Sequence, residues 1–189
     1  MTIIKTSTLG PTLETERLYL RPPVKEDFDA FAEMHADEDV MKFLGGVQPK
    51  AVAWRTFNAL AGSWHMWGFS MFCLVEKETG EWLGRIGPIH PYGWPEYEVG
   101  WGLNKAAQGK GYAREAAVAT MDYAFDVLGW EKLIHCIAPE NIPSQNIAKR
   151  LGSTNLGKTQ LPAPYAHLDV DAWGQNRDEW RENRKQFFK

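Results

Sequence analysis

The chain of 189 residues has a mass of 21.5 kDa, close to the size of one domain, so we expect a single domain over residues 1–189 with one core. Hydrophobic residues make up 44% and charged residues 24% of the chain, which excludes a disordered protein. The 21 Lys and Arg residues against 24 Asp and Glu residues give a net charge of -3, so we expect no nucleic-acid partner.

The cysteines and histidines indicate a reducing compartment and no metal site. The two cysteines, Cys73 and Cys136, lie far apart without CxxC spacing, which favours neither a disulfide framework nor a thiolate metal site. The five histidines form no HxxxH pattern, so no metal is expected. No apolar run reaches the roughly 18 residues of a membrane span. We therefore expect a cytoplasmic protein with no membrane partner.

The first half of the chain predicts a strand, two helices and a hairpin. Residues 15–21 alternate between polar and apolar before two consecutive prolines, which is typical of a strand. Apolar residues then recur at helical spacing over 28–35, and a second helix is predicted over 50–64. Two β-rich segments separated by a Glu-Thr-Gly turn predict a hairpin over 69–76 and 82–89.

The second half predicts a strand, helix, strand, helix unit followed by two weaker strands and a final helix. In chain order these elements are a strand at 96–103, a helix at 112–128, a strand at 132–138, a helix at 143–151, strands near 155–160 and 166–172, and a helix from Asn176 with Glu179 completing a capping box. Together the two halves predict an α+β or mixed α/β domain with about seven strands.

The strand over 96–103 carries a pattern that a regular strand does not need. Alternation places four residues on one face, namely Glu96, Glu98, Gly100 and Gly102. Glycine weakens a strand interior, so two glycines beside a carboxylate predict a bulge or the close approach of a ligand or backbone segment. Glu98 is the carboxylate on this face with no bulky side chain beside it, and the alternative is a glutamate on a solvated strand face.

A glycine-bearing loop follows this strand and opens the next helix. Its sequence is Gln108-Gly109-Lys110-Gly111-Tyr112-Ala113-Arg114. The first turn of a helix leaves N–H groups without intrahelical partners, and the positive end of the helix dipole favours an anion there. The loop therefore predicts a phosphate site, with a plain glycine-rich turn as the alternative. It matches neither the Walker A loop nor the dinucleotide fingerprint.

The loop also resembles a known family signature. Gln108-x-x-Gly111-x-Ala113 matches the Gln/Arg-x-x-Gly-x-Gly/Ala pattern of the GCN5-related N-acetyltransferases (GNAT). Other segments resemble the branch of that family that acetylates the N-terminal alanine or serine of ribosomal proteins. Those segments are Thr15-Glu16-Arg17-Leu18-x-Leu20-Arg21, Gly80-Glu81-x-Leu83-Gly84, Glu98-Val99-Gly100-Trp101, Gly109-Lys110-Gly111-Tyr112-Ala113-x-Glu115-Ala116, Asn141-x-x-Ser144-x-Asn146 and Arg150-Leu151-Gly152.

The resemblance implies a fold and a cofactor. The implied fold is a mixed α/β, GNAT-like acyl-CoA N-acyltransferase fold, whose sheet of about seven strands is flanked by helices and splays between the strands at 96–103 and 132–138. In such proteins acetyl-CoA lies in that gap, with its pantetheine paired to the first strand and its pyrophosphate on loop N–H groups. The positions that would bind it here are Trp101, Gly102, Leu103, Gln108, Gly109, Lys110, Gly111, Tyr112, Ala113, Arg114, Asn141 and Asn146.

The reaction implied by the resemblance is direct attack of a primary amine on the thioester. An amine is nucleophilic only when neutral, so a base must take a proton, and Glu98 resembles the strand glutamate that does so in several family members. Asn141 and Ser144 correspond to positions that contact the pantetheine and the leaving sulfur, although both residue types are also favoured as helix caps. Ala148 replaces a tyrosine that often acts as general acid, which leaves Ser144 or water as the candidate.

The sequence leaves the acceptor amine open. An N-terminal amine has a pKa of about 8, so of the candidate acceptors it needs the weakest base. An N-terminal acceptor also agrees with the branch that the chain resembles. Acidic residues and rings on the acceptor side would favour a cationic amine, and the candidates are Glu96, Glu98, Asp169, Asp171, Trp67 and Trp94. The alternatives are a small amine such as a polyamine, an antibiotic or an amino acid, a non-catalytic acetyl-CoA sensor, and an aromatic-rich binding module. A monomer and a homodimer both stay open.

Overall fold

The structure is a computed structural model that describes residues 2–4 and 9–188. By its internal contacts the chain divides into two units, and each is described separately. The first unit comprises residues 1–87 and 101–119, and the second comprises residues 88–100 and 120–189. The single domain over residues 1–189 stays a prediction.

The strands of the first unit form an antiparallel meander. In chain order they are β1 (Thr2–Ile4), β2 (Thr12–Glu14), β3 (Leu18–Arg21), β4 (Phe72–Glu76), the part of β5 (Trp82–Ile89) up to Gly87 and the second half of β6 (Glu98–Leu103). The order of strands in the sheet follows the order in the chain, and the pairs from β1 to β5 are antiparallel. This arrangement leads the chain through β6 directly into the glycine-bearing loop.

Helices cover the core of the first unit. They are α1 (Phe28–Ala36), α2 (Glu38–Met41), α3 (Lys50–Trp67) and the first part of α4 (Tyr112–Asp122). Phe31 is fully buried and contacts Phe57 edge-to-face, with ring centroids 5.1 Å apart, because α1 and α3 turn their apolar faces toward each other. The helix α3 ends at Gly68, whose φ of 76° suits glycine and terminates the helix.

The strands of the second unit form the mixed part of the sheet. They are the first half of β6, then β7 (Lys132–Ile137), β8 (Thr154–Thr159) and β9 (Val170–Asn176), and their order is β6-β7-β9-β8. β6 and β7 are parallel and pair at Glu98 and Ile134, whereas β9 is antiparallel to both β7 and β8. Glu98 and Ile134 are the one residue pair in register between β6 and β7, as expected if the sheet splays between these two strands. The mixed sheet confirms the predicted fold class.

Two helices complete the second unit, α5 (Ile142–Arg150) and α6 (Arg177–Arg184). The predicted capping box is confirmed, because the side chain of Asn176 accepts from the N–H of Glu179 and the carboxylate of Glu179 accepts from the N–H of Asn176. Trp180 is buried and donates its indole N–H to Asp122 over 3.0 Å. That contact fixes α6 on the core of the second unit.

The structure differs from the sequence prediction mainly at the short strands. The described residues contain nine strands, two more than predicted, because β1 and β2 span three residues each and show no measurable alternation. The strand predicted at 166–172 begins later and continues to Asn176, where it pairs with Lys132. Among the described helices, none combines the length and apolar character that would let it cross a membrane.

Candidate active site

The loop over residues 108–114 lies in the first unit, where residues 108–111 follow β6 and residues 112–114 begin α4. The side chain of Asn104 accepts from the N–H of Ala107 over 2.9 Å, and the side chain of Gln108 donates to the carbonyl of Leu103 over 3.1 Å. These bonds hold the chain against the end of β6 before it turns. Gln108 therefore has a structural role in the loop, beside the cofactor role implied by the family signature.

Two glycines give the loop its shape. Gly109 and Gly111 have φ values of 76° and 85°, a left-handed conformation that side chains disfavour. A Cβ on Gly109 would meet no atom within 4 Å, so the backbone is uncovered there. The helix then starts at Tyr112, and the N–H of Glu115 already bonds the carbonyl of Gly111. A glycine turn that leads into the start of a helix in this way is the general geometry of an anion site.

The second half of β6 is packed by protein atoms on the side of Gly102. A Cβ at Gly102 would come within 3.0 Å of Leu44, and a Cβ at Gly84 within 2.4 Å of the carbonyl oxygen of Gly102. Of the sequence-based alternatives for these glycines, the close approach of another backbone segment therefore holds at Gly102. Leu103 is buried and Trp101 is half-buried in the same strand.

Glu98 lies in the second unit, in the first half of β6, and only 6% of its surface is exposed. Its Oε2 accepts from the indole N–H of Trp94 over 2.6 Å, and its Oε1 accepts from the backbone N–H of Cys136 over 3.3 Å. The Trp94 ring meets Tyr165 edge-to-face with centroids 6.1 Å apart. Glu98 is thus a buried carboxylate held in one rotamer, and the alternative of a solvated strand face is wrong.

His135 on β7 is a residue that the sequence reasoning missed. It is buried, its Nδ1 lies 2.6 Å from the carbonyl oxygen of Val99, and its Nε2 lies 3.1 Å from Oγ of Ser153. A carbonyl only accepts, so Nδ1 carries the proton and Nε2 accepts from Ser153, which in turn accepts from the amide of Gln175 over 2.9 Å. Burial lowers the pKa of His135 to about 4, so the ring is neutral at pH 7.

The helix α5 carries the three remaining predicted site residues. Asn141 caps the helix, because its side chain accepts from the N–H of Ser144 over 3.2 Å. Ser144 is half-buried and Asn146 is exposed, and both lie in the second unit with Glu98. Ala148 is fully buried. The capping interpretation of Asn141 is therefore confirmed.

The acidic residues that the sequence placed near the acceptor have cationic partners. Glu96 pairs with Lys132 over 2.5 Å, and Lys158 pairs with both Asp169 and Asp171, the latter over 3.6 Å. Two lysines of the second unit therefore pair with these three carboxylates, and Asp169 and Asp171 share one of them. Trp67 lies at the end of α3 in the first unit and is 72% exposed. Of the predicted acceptor-side residues, Trp94 is the one in hydrogen-bond contact with Glu98.

Comparison with known proteins identifies the family. A family model described as an acetyltransferase (GNAT) domain matches residues 17–154. The uncharacterized N-acetyltransferase YnaD of Bacillus subtilis is 32% identical over 171 residues, which cover 89% of this chain and 98% of that protein. A crystal structure of an acetyltransferase from Agrobacterium tumefaciens is 33% identical, with a TM-score of 0.77 and coverage of 94% of this chain and 99% of that one.

A more distant structure shares the fold alone. The spermidine N-acetyltransferase of Vibrio cholerae, solved in complex with CoA and spermine, is 18% identical, with a TM-score of 0.71 over 87% of this chain and 98% of that one. The same fold thus occurs in a protein that is solved with CoA.

Proposed function

The chain belongs to the GNAT family of acetyltransferases, and from that premise we propose that it transfers an acetyl group from acetyl-CoA to a primary amine, by direct attack of the amine on the thioester. The observation that carries the proposal is the glycine-bearing loop over 108–114, which has the family signature and the backbone geometry of an anion site in one segment.

The residues of the loop fit the diphosphate of CoA. Gly109 leaves the backbone uncovered, and the N–H groups at the start of α4 point out of the helix end. Lys110 and Arg114 add two positive charges beside them. The loop would therefore bind the diphosphate, while the backbone of Trp101, Gly102 and Leu103 in the same unit would align the pantetheine arm.

Glu98 is the proposed proton acceptor. When bound, acetyl-CoA supplies an activated carbonyl carbon, and an amine that is to attack it must first lose its proton. The N–H donors of Trp94 and Cys136 hold the carboxylate of Glu98 in one rotamer, so it is oriented before substrate arrives. Glu98 would take the proton directly or through one water, and burial excludes competing solvent from its oxygens.

Ser144 is the proposed donor for the departing sulfur. Its N–H is bonded to the capping side chain of Asn141, which fixes the first turn of α5 and the position of the serine. The hydroxyl of Ser144, or a water bound to it, would protonate the thiolate, because Ala148 offers no acidic group. Tyrosine is thus absent from this role at the position where the wider family often has it.

For the acceptor we propose a protein N-terminal amine with a small first residue. A polyamine carries several positive charges and would need several carboxylates, but Glu96, Asp169 and Asp171 are already engaged by lysines. A single ammonium group would lie beside Glu98, with Trp94 and Tyr165 against its apolar part. The N-terminal amine of a peptide has a pKa of about 8, so of these acceptors it requires the weakest base.

Release of free CoA thiol from acetyl-CoA tests both levels of the proposal. The acceptors are a peptide with a free N-terminal serine or alanine and no lysine, a matched peptide with a blocked N-terminus and one lysine, and spermidine. We expect the highest kcat/KM for the free N-terminus. Activity on spermidine alone, or faster acetylation of the blocked peptide, would overturn the acceptor assignment. Absence of both CoA binding and thiol release with every acceptor would overturn the enzyme assignment.

A further inference from the structure

A carboxylate lies at the end of the helix that is expected to bind an anion. Glu115 belongs to the first turn of α4, and its side chain is only 17% exposed. Burial raises the pKa of Glu115, but hydrogen bonds from Thr15 and from the backbone and side chain of Arg17 outweigh it, so the net pKa lies below its ordinary value. An ionised glutamate at this position would repel a diphosphate unless another residue cancelled its charge.

The residues that cancel it come from the start of the chain, about a hundred positions earlier. Oε1 of Glu115 accepts from the hydroxyl of Thr15 over 2.6 Å and from the backbone N–H of Arg17 over 2.8 Å. Oε2 accepts from Nε of Arg17 over 2.7 Å. Both oxygens are therefore engaged by Thr15 and Arg17, and the guanidinium supplies the opposite charge.

The same guanidinium also contacts the loop. Nη1 of Arg17 donates to the carbonyl of Lys110 over 3.0 Å, and the guanidinium carbon lies 4.4 Å from the centre of the Tyr112 ring. Because the C=O and N–H of a trans peptide point in opposite directions, a Lys110 carbonyl fixed toward Arg17 turns the N–H of Gly111 away from it. Arg17 thus sets the direction of one of the N–H groups proposed to bind phosphate.

We propose that Arg17 is the positioning residue of the phosphate-binding loop. It cancels the charge of Glu115 and orients the peptide between Lys110 and Gly111. The proposal rests on the proposed use of acetyl-CoA, and it explains why the Thr15-Glu16-Arg17 segment, far from the loop in sequence, is attached to it. A residue with this function would affect donors that carry a diphosphate and leave donors without one unaffected.

Two acetyl donors separate this function from a general structural one. Acetyl-CoA carries the diphosphate, whereas S-acetylpantetheine has the same thioester and pantetheine arm without it. For Arg17→Gln we expect kcat/KM with acetyl-CoA to fall roughly tenfold, as for loss of a charge-assisted contact, while kcat/KM with S-acetylpantetheine stays within about twofold of the wild type. The control is Arg55→Gln, which removes one exposed positive charge from α3 in the same unit and should change neither value.

The outcomes are distinct. Equal loss with both donors would show a merely structural role and overturn the proposal, as would no loss with either donor. Wild-type protein that binds no CoA in calorimetry would instead overturn the proposed function. If Arg17→Gln fails to fold, Arg17→Lys serves in its place, because lysine keeps the positive charge beside Glu115 but lacks the planar guanidinium group. The decrease in kcat/KM should then be smaller and should again be confined to acetyl-CoA.

A double variant tests the charge argument by itself. Glu115→Gln removes the carboxylate that Arg17 neutralises, so the pair Arg17→Gln and Glu115→Gln should bind CoA more tightly than Arg17→Gln alone. Calorimetry with CoA at low and moderate salt measures this difference. Recovery of part of the lost affinity is the expected result, and no recovery would overturn charge cancellation as the reason for the effect.

Discussion

The loop over 108–114 in the first unit is braced by an ion pair that solvent reaches, whereas the buried Glu98 in the second unit accepts hydrogen bonds from an indole and a backbone amide. Arg17, which braces the loop, has 42% of its side chain exposed. Beside Glu98, the carbonyl of Val99 is held by a neutral imidazole. The two regions should therefore respond to different perturbations.

This contrast has a chemical reason within the proposed function. A surface that binds a diphosphate must stay positive and open, so ionic contacts at the solvent boundary suit it. A carboxylate that takes a proton from an amine must remain unpaired with a fixed cation, since a neighbouring lysine or arginine would stabilise its charged form and weaken it as a base. The N–H donors of Trp94 and Cys136 orient Glu98 without adding a formal positive charge.

The largest expected effect lies in the second unit. Glu98→Gln should lower kcat by roughly 100-fold to 10,000-fold, because the amide takes up no proton, while the affinity for CoA stays unchanged. The amide oxygen still accepts from Trp94, so the local packing is kept. Turnover and calorimetry give the two readouts. The control Glu96→Gln alters a carboxylate that is paired with Lys132 and should retain activity. Normal turnover in Glu98→Gln would disprove the assignment of Glu98 as the proton acceptor.

A second effect concerns acid stability. Burial holds the pKa of His135 at about 4 in the folded chain against about 6.5 unfolded, so its contribution to stability is complete above pH 6.5 and is lost as the pH falls toward 4. From these values the loss at pH 5 is about 2 kcal/mol. The free energy of unfolding, measured in urea at pH 7 and at pH 5, should fall between these pH values by about 2 kcal/mol less in His135→Gln than in the wild type.

A histidine of the first unit provides the comparison for this measurement. Burial and the nearby Arg85 lower the pKa of His35 to about 4 as well, so His35→Gln should show a similar reduction in acid sensitivity. His35 bonds the carbonyl of Phe31 in its own helix, whereas His135 bonds the carbonyl of Val99 in β6, so only His135→Gln should also change kcat. An unchanged acid response in His135→Gln would contradict the buried, neutral imidazole.

A smaller effect is expected from the glycine loop. Gly111→Ala forces a side chain into a left-handed conformation, at a cost of about 1–2 kcal/mol, and brings its Cβ to 3.4 Å from Nη2 of Arg17. Gly46 has the same φ of 85° and open space around it, so Gly46→Ala is a matched control. Both variants should lose similar stability in thermal unfolding.

Affinity separates the two glycine variants. Only Gly111→Ala should weaken CoA binding in calorimetry, because only its backbone belongs to the proposed phosphate loop. Equal affinity for CoA in both variants would show that the loop binds no diphosphate, and it would remove the contrast between the two regions.

Local patterns predicted the elements whose signals lie within one segment. The start of α4 at Tyr112 follows from the glycines before it, and the Asn176 capping box can be read from residue spacing. The extension of β9 to Asn176 depends on pairing with Lys132, a contact between distant residues that no local pattern contains. Short β1 and β2 are likewise defined by their partners.

The residues of the candidate site likewise divide into those that a local pattern indicates and those that depend on contacts between distant residues. Glu98 was found from the glycines beside it, but its burial depends on Trp94 and on Cys136, which is 38 positions away. Arg17 belonged to a recognised segment without an assigned function, because Glu115 lies 98 positions from it. His135 looked like a polar residue in an apolar strand, and only the contact with Val99 reveals its part in holding β6.

The two cysteines have a practical consequence for every assay described above. Burial raises the pKa of the Cys73 thiol to about 12, and burial together with the Glu98 carboxylate raises the pKa of the Cys136 thiol. Thiol reagents react with thiolates, so the folded protein should give little background when a chromogenic disulfide follows the release of CoA. Unfolding exposes both thiols, and the same reagent in denaturant should then titrate two groups per chain, which counts the protein in the cuvette.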